Sequence, residues 1–233
     1  MSYAERAAHA DCGAAYETLR QDLIALVRSL DPAERARTVP ATPAWTVRDV
    51  LGHVTGLTED LNHGNYDDSD ADAWTRHQVE RHRDEPLDAT IAAWDAEAPT
   101  FERGLHELGY EIGSHFVGDL LVHVVDVRAA LDLPIDVDAS LVWIALDFYL
   151  ESLGQDLADA HVGALAIETG IETRVVGPGD VAASVTTEPF EMLRACAGRR
   201  TADAIAAYRW SGDVDAFIGR ISRYETPTTG VGV

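Results

Sequence analysis

Three side chains carry the chemistry this sequence offers. His53 lies in DVLGHVTGL, and Asp119 and His123 lie in GDLLVHVVDVRAAL. Asp119 and His123 are four residues apart, so on a helix they project from one face. Apolar residues flank all three: Leu51 and Val54 around His53, and Leu120, Leu121, Val122 and Val124 around the other two. Ionisable groups on the inner faces of helices are costly unless paired or metal-bound. Two histidines and a carboxylate suit a divalent ion, zinc above all, and three protein ligands leave a fourth position open for chemistry. Facing helices of a bundle are a usual place to assemble such a site. Spacing alone leaves the alternative of hydrogen-bonded core histidines. His115, Asp119 and His123 also form an i, i+4, i+8 series, which makes His115 a rival third ligand.

The elements that must position these groups are mostly helices. Ala14, Leu19, Leu23, Leu26, Val27 and Leu30 form one apolar stripe, and the helix carrying them should stop near Asp31-Pro32. A loop, VPATPAW, follows. Thr46 and Asp49 read as a capping box with Asp in place of the usual Glu, starting a second helix near Val47 that turns Val50, Leu51, Val54 and Leu57 inward. Residues 62–72 read as an acidic loop, and Trp74 to Arg83 either as a separate helical turn or as the start of the next helix. Further helices are expected from about Leu87 to Leu108, Ile112 to Leu131, and Asp138 to Ala160. The last third changes character. ALAIETG, TRVVGPG and AASVTTE are β-prone runs between Gly and Pro, followed by a helix from Phe190 to Ala197. AIAAYRWSGD then reads as a strand, and Asp213 to Tyr224 as a final helix. The expected fold class is α+β. An all-helical segment fills residues 1–160, a small α+β domain fills 161–226, and 227–233 form a disordered tail.

Composition narrows the function classes. The chain has 233 residues, 46% hydrophobic and 25% charged, as in ordinary globular proteins. Its formal net charge of −22 argues against a nucleic-acid binder and against docking on an anionic membrane. Cys12 and Cys196 form no motif, and no apolar run approaches a membrane span. The first residues lack the apolar stretch of a secretory signal, so the expected location is the cytoplasm. The segment WTRHQVERHRDE concentrates Arg76, His77, Arg81, His82 and Arg83. It reads either as a solvated face balancing nearby acids or as an anion-attracting rim. Asp49 reads as a helix cap ahead of a catalytic acid, and Trp45 as a core anchor at the helix entry ahead of a ligand-stacking group.

PATPAWTVRDVLGHVTGL resembles the start of the second helix in the mycothiol-dependent maleylpyruvate isomerase family. Pro40, Trp45, Thr46, Val47, Arg48, Asp49 and His53 carry the likeness. GDLLVHVVDVRAALDLP is similar to a second motif of that family through Asp119, His123, Asp126 and Arg128, with Asp119 standing where the family usually has Glu. Leu193-Arg194, Gly198-Arg199 and Gly212-Asp213 extend the resemblance toward Tyr224.

The resemblance implies that residues 1–160 form a DinB-like, metal-binding, all-α four-helix bundle with an extra helix, followed by a sterol-carrier-like domain. His53, Asp119 and His123 would be the ligands of a divalent metal, zinc first among candidates. Asp126 would either orient a ligand imidazole from behind or form an ion pair with Arg48 or Arg128. Arg199, Arg209 and Arg220 are candidates for a substrate contact. The resemblance further implies a low-molecular-weight thiol cofactor, mycothiol or similar. Coordination by a cation deprotonates a thiol, and the activated sulfur adds to an electrophilic carbon. Expulsion of the thiol after bond rotation gives isomerisation, and its retention gives S-transfer. The expected partner is a small electrophile, with no nucleic acid and no membrane, and the chain would be a monomer or small homo-oligomer. The alternatives are a non-catalytic metal or small-ligand binding protein on the same scaffold, and a metal-dependent hydrolase with Asp126 as base.

Overall fold

The computed structural model describes residues 2–67 and 69–231. A short helix α1 (Tyr3–His9) precedes α2 (Cys12–Ser29), which buries Leu19, Leu23 and Val27 and stops before Asp31-Pro32 as expected. Asp31 caps a single turn, α3 (Pro32–Arg35). The expected loop after it is a small hairpin instead. Strand β1 (Thr38–Val39) pairs antiparallel with β2 (Thr42–Thr46), with Pro40 in the turn, where its missing N–H breaks no ladder bond.

The hairpin delivers Trp45 to the start of α4 (Val47–His63). There the capping box forms as expected. The Thr46 hydroxyl accepts from the Asp49 N–H at 3.2 Å, and the Asp49 carboxylate accepts from the Thr46 N–H at 2.9 Å. Helix α4 outruns the start of the expected acidic loop and ends at Gly64, whose φ of +71° suits glycine in a left-handed cap. Residue 68 of that loop lies outside the described residues. Trp74 to Arg83 fall almost wholly in a helix of their own, α5 (Ala71–His82), followed by α6 (Leu87–Leu108), α7 (Tyr110–Ala130) and α8 (Ala139–Ala160). Among the described residues no helix is long and apolar enough to cross a membrane.

By contacts the chain forms two compact units, one of residues 11–136 and one of residues 1–10 with 137–233. In the first, α2, α4, α6 and α7 make the four-helix bundle, and α5 is the extra helix, packed along α4. Trp94, Tyr16, Leu23, Leu51, Ile91 and Leu120 are fully buried. Tyr16 meets Trp94 and Phe101 edge-on at 6.4 and 5.0 Å between ring centroids. The polar ends of these rings are satisfied locally. Thr58 Oγ1 accepts from Trp94 Nε1–H at 3.0 Å, lies 3.1 Å from the Tyr16 hydroxyl, and donates to the Val54 carbonyl. A β-carbon on Gly56 would stand 2.7 Å from Cβ of Gln78, so only glycine lets α5 come this close to α4.

The second unit is α+β. Strands β3 (Ala164–Glu168), β4 (Thr173–Val176), β5 (Val181–Thr186) and β6 (Arg209–Gly212) form one sheet in the order β4-β3-β5-β6. The central pair β3–β5 is parallel, and the outer pairs are antiparallel. Helix α9 (Pro189–Cys196) packs on α8, and α8 touches β4. Thus α1 and α8, expected within the bundle of residues 1–160, both make their compact unit with the sheet.

Two local expectations fail. The first half of AIAAYRWSGD is not strand; most of it belongs to a short helix α10 (Ala202–Ala206), because Thr201 Oγ1 accepts from the Ala204 N–H at 3.1 Å and alanine favours helix. The last helix is one turn, α11 (Asp215–Ile218), not a run to Tyr224. Gly219 follows it, and the Arg223 N–H is drawn off to the Cys196 carbonyl at 2.9 Å. Of the tail, residues 227–231 carry no helix or strand, and 232–233 lie outside the described residues.

Candidate metal centre

The packing of α4 against α7 brings His53, Asp119 and His123 together. One ligand atom from each lies within 4.8 Å of the others. Nε2 of His53 is 3.8 Å from one Asp119 oxygen, and Nε2 of His123 is 3.7 Å from the other. Neither contact is a hydrogen bond. The two imidazoles stand edge to face at 5.0 Å, and their residues are 6% and 7% exposed. Asp119 is the open member, with a quarter of its side chain exposed. His115, two turns earlier than His123 on α7, stacks on Phe116 at 4.9 Å and is outside the cluster.

This donor set fits a divalent ion. Bonds of about 2.0–2.2 Å to a tetrahedral zinc leave ligand atoms roughly 3.3–3.6 Å apart, slightly closer than the 3.8 and 3.7 Å between Asp119 and the two imidazoles. The shorter Asp119 reaches both imidazoles from its place on α7, one oxygen toward each. Trp45 lies over the pair, its ring centroid 5.0 Å from that of His53 and 5.8 Å from that of His123. It is a half-buried cover for two imidazoles rather than only the core anchor expected.

Behind His53 stands a polar chain that no motif of the sequence announces. His53 Nδ1 is 2.9 Å from Oε1 of Gln78, and Gln78 Nε2 donates to Asp60 at 3.3 Å. Asp60 also accepts from Trp74 Nε1–H at 2.9 Å and from Arg81 at 2.7 Å. Gln78 is 0% exposed and Asp60 1%. A weaker signal exists: Trp74, Gln78 and His82 recur every four residues and share one face of α5.

The basic run on that helix is largely neutralised. Arg81 meets Glu59 and Asp60, His82 lies between Glu59 and Glu85, and Arg83 meets Asp49. Arg76 and His77 carry no such pairing among the contacts of this run, and Arg76 lines a surface groove of about 370 Å³ with Trp45, Thr75, Val79 and Arg83. Asp49 caps α4 as expected. Burial pushes its carboxyl up, but the hydrogen bonds from Thr46 and Arg83 outweigh that and hold it below the ordinary aspartate range. Asp126 is buried on α7, and Arg128 donates to the Pro134 carbonyl. Arg48 donates to the carbonyls of His82 and Glu85 and to Thr90. Burial, and to a lesser degree the charge of Asp119, keep the Tyr16 phenol protonated, though the Thr58 contact opposes them. Arg199, Arg209 and Arg220 belong to the other unit. Arg199 donates to the Ala197 carbonyl, and Arg220 lines a cavity with Asp156 and Asp159.

Residues 16–117 match the family model of the mycothiol maleylpyruvate isomerase N-terminal domain. That segment holds Trp45, His53, Asp60 and Gln78 and ends just before Asp119. The fold of the chain is similar to a crystal structure of the mycothiol-dependent maleylpyruvate isomerase, with a TM-score of 0.56 and 15% identity over 87% of this chain and 93% of that one. A histidine-to-alanine variant of the isomerase gives a TM-score of 0.58 at 14% identity over the same shares. No curated protein sequence matches the chain. The first motif, through His53, therefore lies inside the matched segment and the second, through Asp119 and His123, outside it, while the likeness in fold covers 87% of the chain.

Proposed function

We propose that this chain, whose residues 16–117 carry a mycothiol maleylpyruvate isomerase N-terminal domain, is a metal- and thiol-dependent enzyme acting on a small electrophile by isomerisation or S-transfer. The observation that carries this reading is the meeting of two imidazoles and one carboxylate at ion-pair distances without hydrogen bonds between them. His53, Asp119 and His123 would hold the ion, and zinc suits their nitrogen and oxygen donors. The chemistry supplied by a bound divalent ion would be to favour the nucleophilic thiolate of a thiol such as mycothiol, whose ordinary pKa is near 8.5.

The remaining work falls to the chain. Trp45 covers both imidazoles and keeps water from their faces. The partly exposed Asp119 marks the side from which small molecules approach. Asp126, buried three residues beyond His123, is proposed to orient that ring. Neither cysteine serves as nucleophile. Burial, with the charge of Asp11, pushes the Cys12 thiol up to about 11, and burial alone pushes Cys196 up to about 12. The cytoplasm, rich in such thiols, is the proposed location.

A non-catalytic metal-binding protein on the same scaffold is the second reading, and the deep burial of both imidazoles under Trp45 favours it. Cobalt-substituted protein titrated with mycothiol separates the two. A saturable thiolate-to-cobalt charge-transfer band, absent in His53→Ala, is expected. Loaded cobalt with no band at excess thiol would leave only the metal-binding reading.

A further inference from the structure

We propose that Gln78, directed by Asp60, fixes His53 as the Nδ1–H tautomer, so that its Nε2 lone pair faces Asp119 and His123. The proposal rests on the reading of His53 as a metal ligand for its purpose, though not for its geometry. A zinc-ligating imidazole nitrogen must carry no proton, and the group on the other ring nitrogen sets which nitrogen that is.

The assignment follows from which groups can only donate and which can only accept. Trp74 Nε1–H and the Arg81 guanidinium are donors only, and both point at Asp60, at 2.9 and 2.7 Å. Both Asp60 oxygens thus face donors and serve as acceptors. The third group Asp60 meets, the Gln78 side-chain amide at 3.3 Å, must present its NH₂. The opposite flip would set oxygen against oxygen. With the NH₂ committed, the Gln78 oxygen is the atom 2.9 Å from His53 Nδ1, and an amide oxygen can only accept. Nδ1 therefore carries the proton, and in the neutral ring Nε2 is left bare, 3.8 Å from Asp119.

The backbone is arranged for this reach. Gly56 lies three residues after His53 on α4, and Cα of Gln78 would stand 2.9 Å from any β-carbon placed there. A side chain at 56 would force α5 outward and draw Gln78 from His53. The chain of polar groups is also dear to bury, since Gln78 and Asp60 are almost wholly enclosed and a plain helix contact is served as well by apolar residues. Gln78 and Asp60 touch no ligand position themselves and act only through the His53 ring, so they are positioning residues.

The test is made first on metal-free protein. Long-range proton–nitrogen correlation spectra of ¹⁵N-histidine-labelled protein, at about pH 8.5 where an ordinary histidine is neutral, read the His53 tautomer directly. Wild type is expected to show Nδ1–H. Gln78→Met is expected to show a tautomer mixture or Nε2–H, with zinc affinity in a chelator competition reduced about 10–100-fold. Asp60→Asn should shift both readouts in the same direction but less. His53 found as Nε2–H in wild type would overturn the proposal without any variant. Unchanged tautomer and affinity in folded Gln78→Met would overturn it too, and Asp60→Asn decides if Gln78→Met does not fold. A wild type that holds Nδ1–H, loses it in the variants and yet binds no zinc would sustain the relay while refuting the metal reading.

Discussion

Arg6 and Asp147, in the unit of residues 1–10 and 137–233, are buried as deeply as His53 and His123 in the helical unit, but their surroundings are of the opposite kind. Arg6 grips Asp147 through Nε and Nη2 at 2.7 and 2.8 Å and Glu172 through two further contacts at 3.3 and 3.1 Å. Its guanidinium also lies 4.5 Å from the Trp143 ring centroid, and Arg174 approaches Asp147 at 3.5 Å. Two cations and two anions close on each other, and such bidentate pairs are the strong form of ion pair. The cluster of His53, Asp119 and His123 instead joins two imidazoles and a carboxylate whose contacts, at 3.8 and 3.7 Å, are too long for hydrogen bonds. A buried cluster that supplies its own countercharge holds structure together. On the proposed reading, two imidazoles and a partly exposed carboxylate would be completed by a cation from outside.

The largest effect is expected at the closed cluster. Arg6→Met leaves Asp147 buried with less countercharge and should cost about 3–5 kcal/mol in urea unfolding. It should leave divalent-metal affinity unchanged. Asp119→Asn should do the reverse, moving metal-free stability by no more than about 0.5–1 kcal/mol while removing metal binding. Equal stability losses in the two variants would erase the distinction between the clusters.

A smaller effect concerns how α4, which carries His53, is anchored. Asp49 is held below its ordinary pKa in the folded chain, so its contribution is fully present above the unfolded value of about 3.9 and is lost as pH falls through the folded one. Thr46→Ala should cost about 1 kcal/mol at neutral pH. It should also reduce the loss of stability between neutral pH and about pH 3. Urea midpoints measured across that range check both, and an unchanged acid dependence would separate Asp49 from the cap.

Much of this was legible in the sequence, for physical reasons that can be named. The bundle helices announce themselves because apolar residues recur with the helical period and Asp31-Pro32 and Thr46–Asp49 mark boundaries with local chemistry. The meeting of His53 with Asp119 and His123 was within reach because ionisable groups set among apolar neighbours on helices are costly to bury alone and so tend to converge. The β1–β2 hairpin was hidden, since two-residue strands carry no periodic signal. Helix α10 was misread as strand because AIAAYRW mixes both propensities and the Thr201 cap decides. Gln78 and Asp60 escaped notice because polar residues in a charged run look solvent-facing until a neighbouring helix, admitted by Gly56, buries them. The grouping of α1 and α8 with the sheet involves contacts such as Arg6–Asp147, between the two helices and 141 residues apart, and Arg174–Asp147, between β4 and α8, which leave no local trace.

Whether His53, Asp119 and His123 form a site for a divalent cation is tested most directly by the metal content of purified protein equilibrated with zinc. Elemental analysis is made beside folded His53→Ala and Asp119→Ala variants. Close to one zinc per chain is expected in wild type and none in either variant. A folded wild type that takes up no divalent metal, or variants that retain it in full, would contradict the assignment.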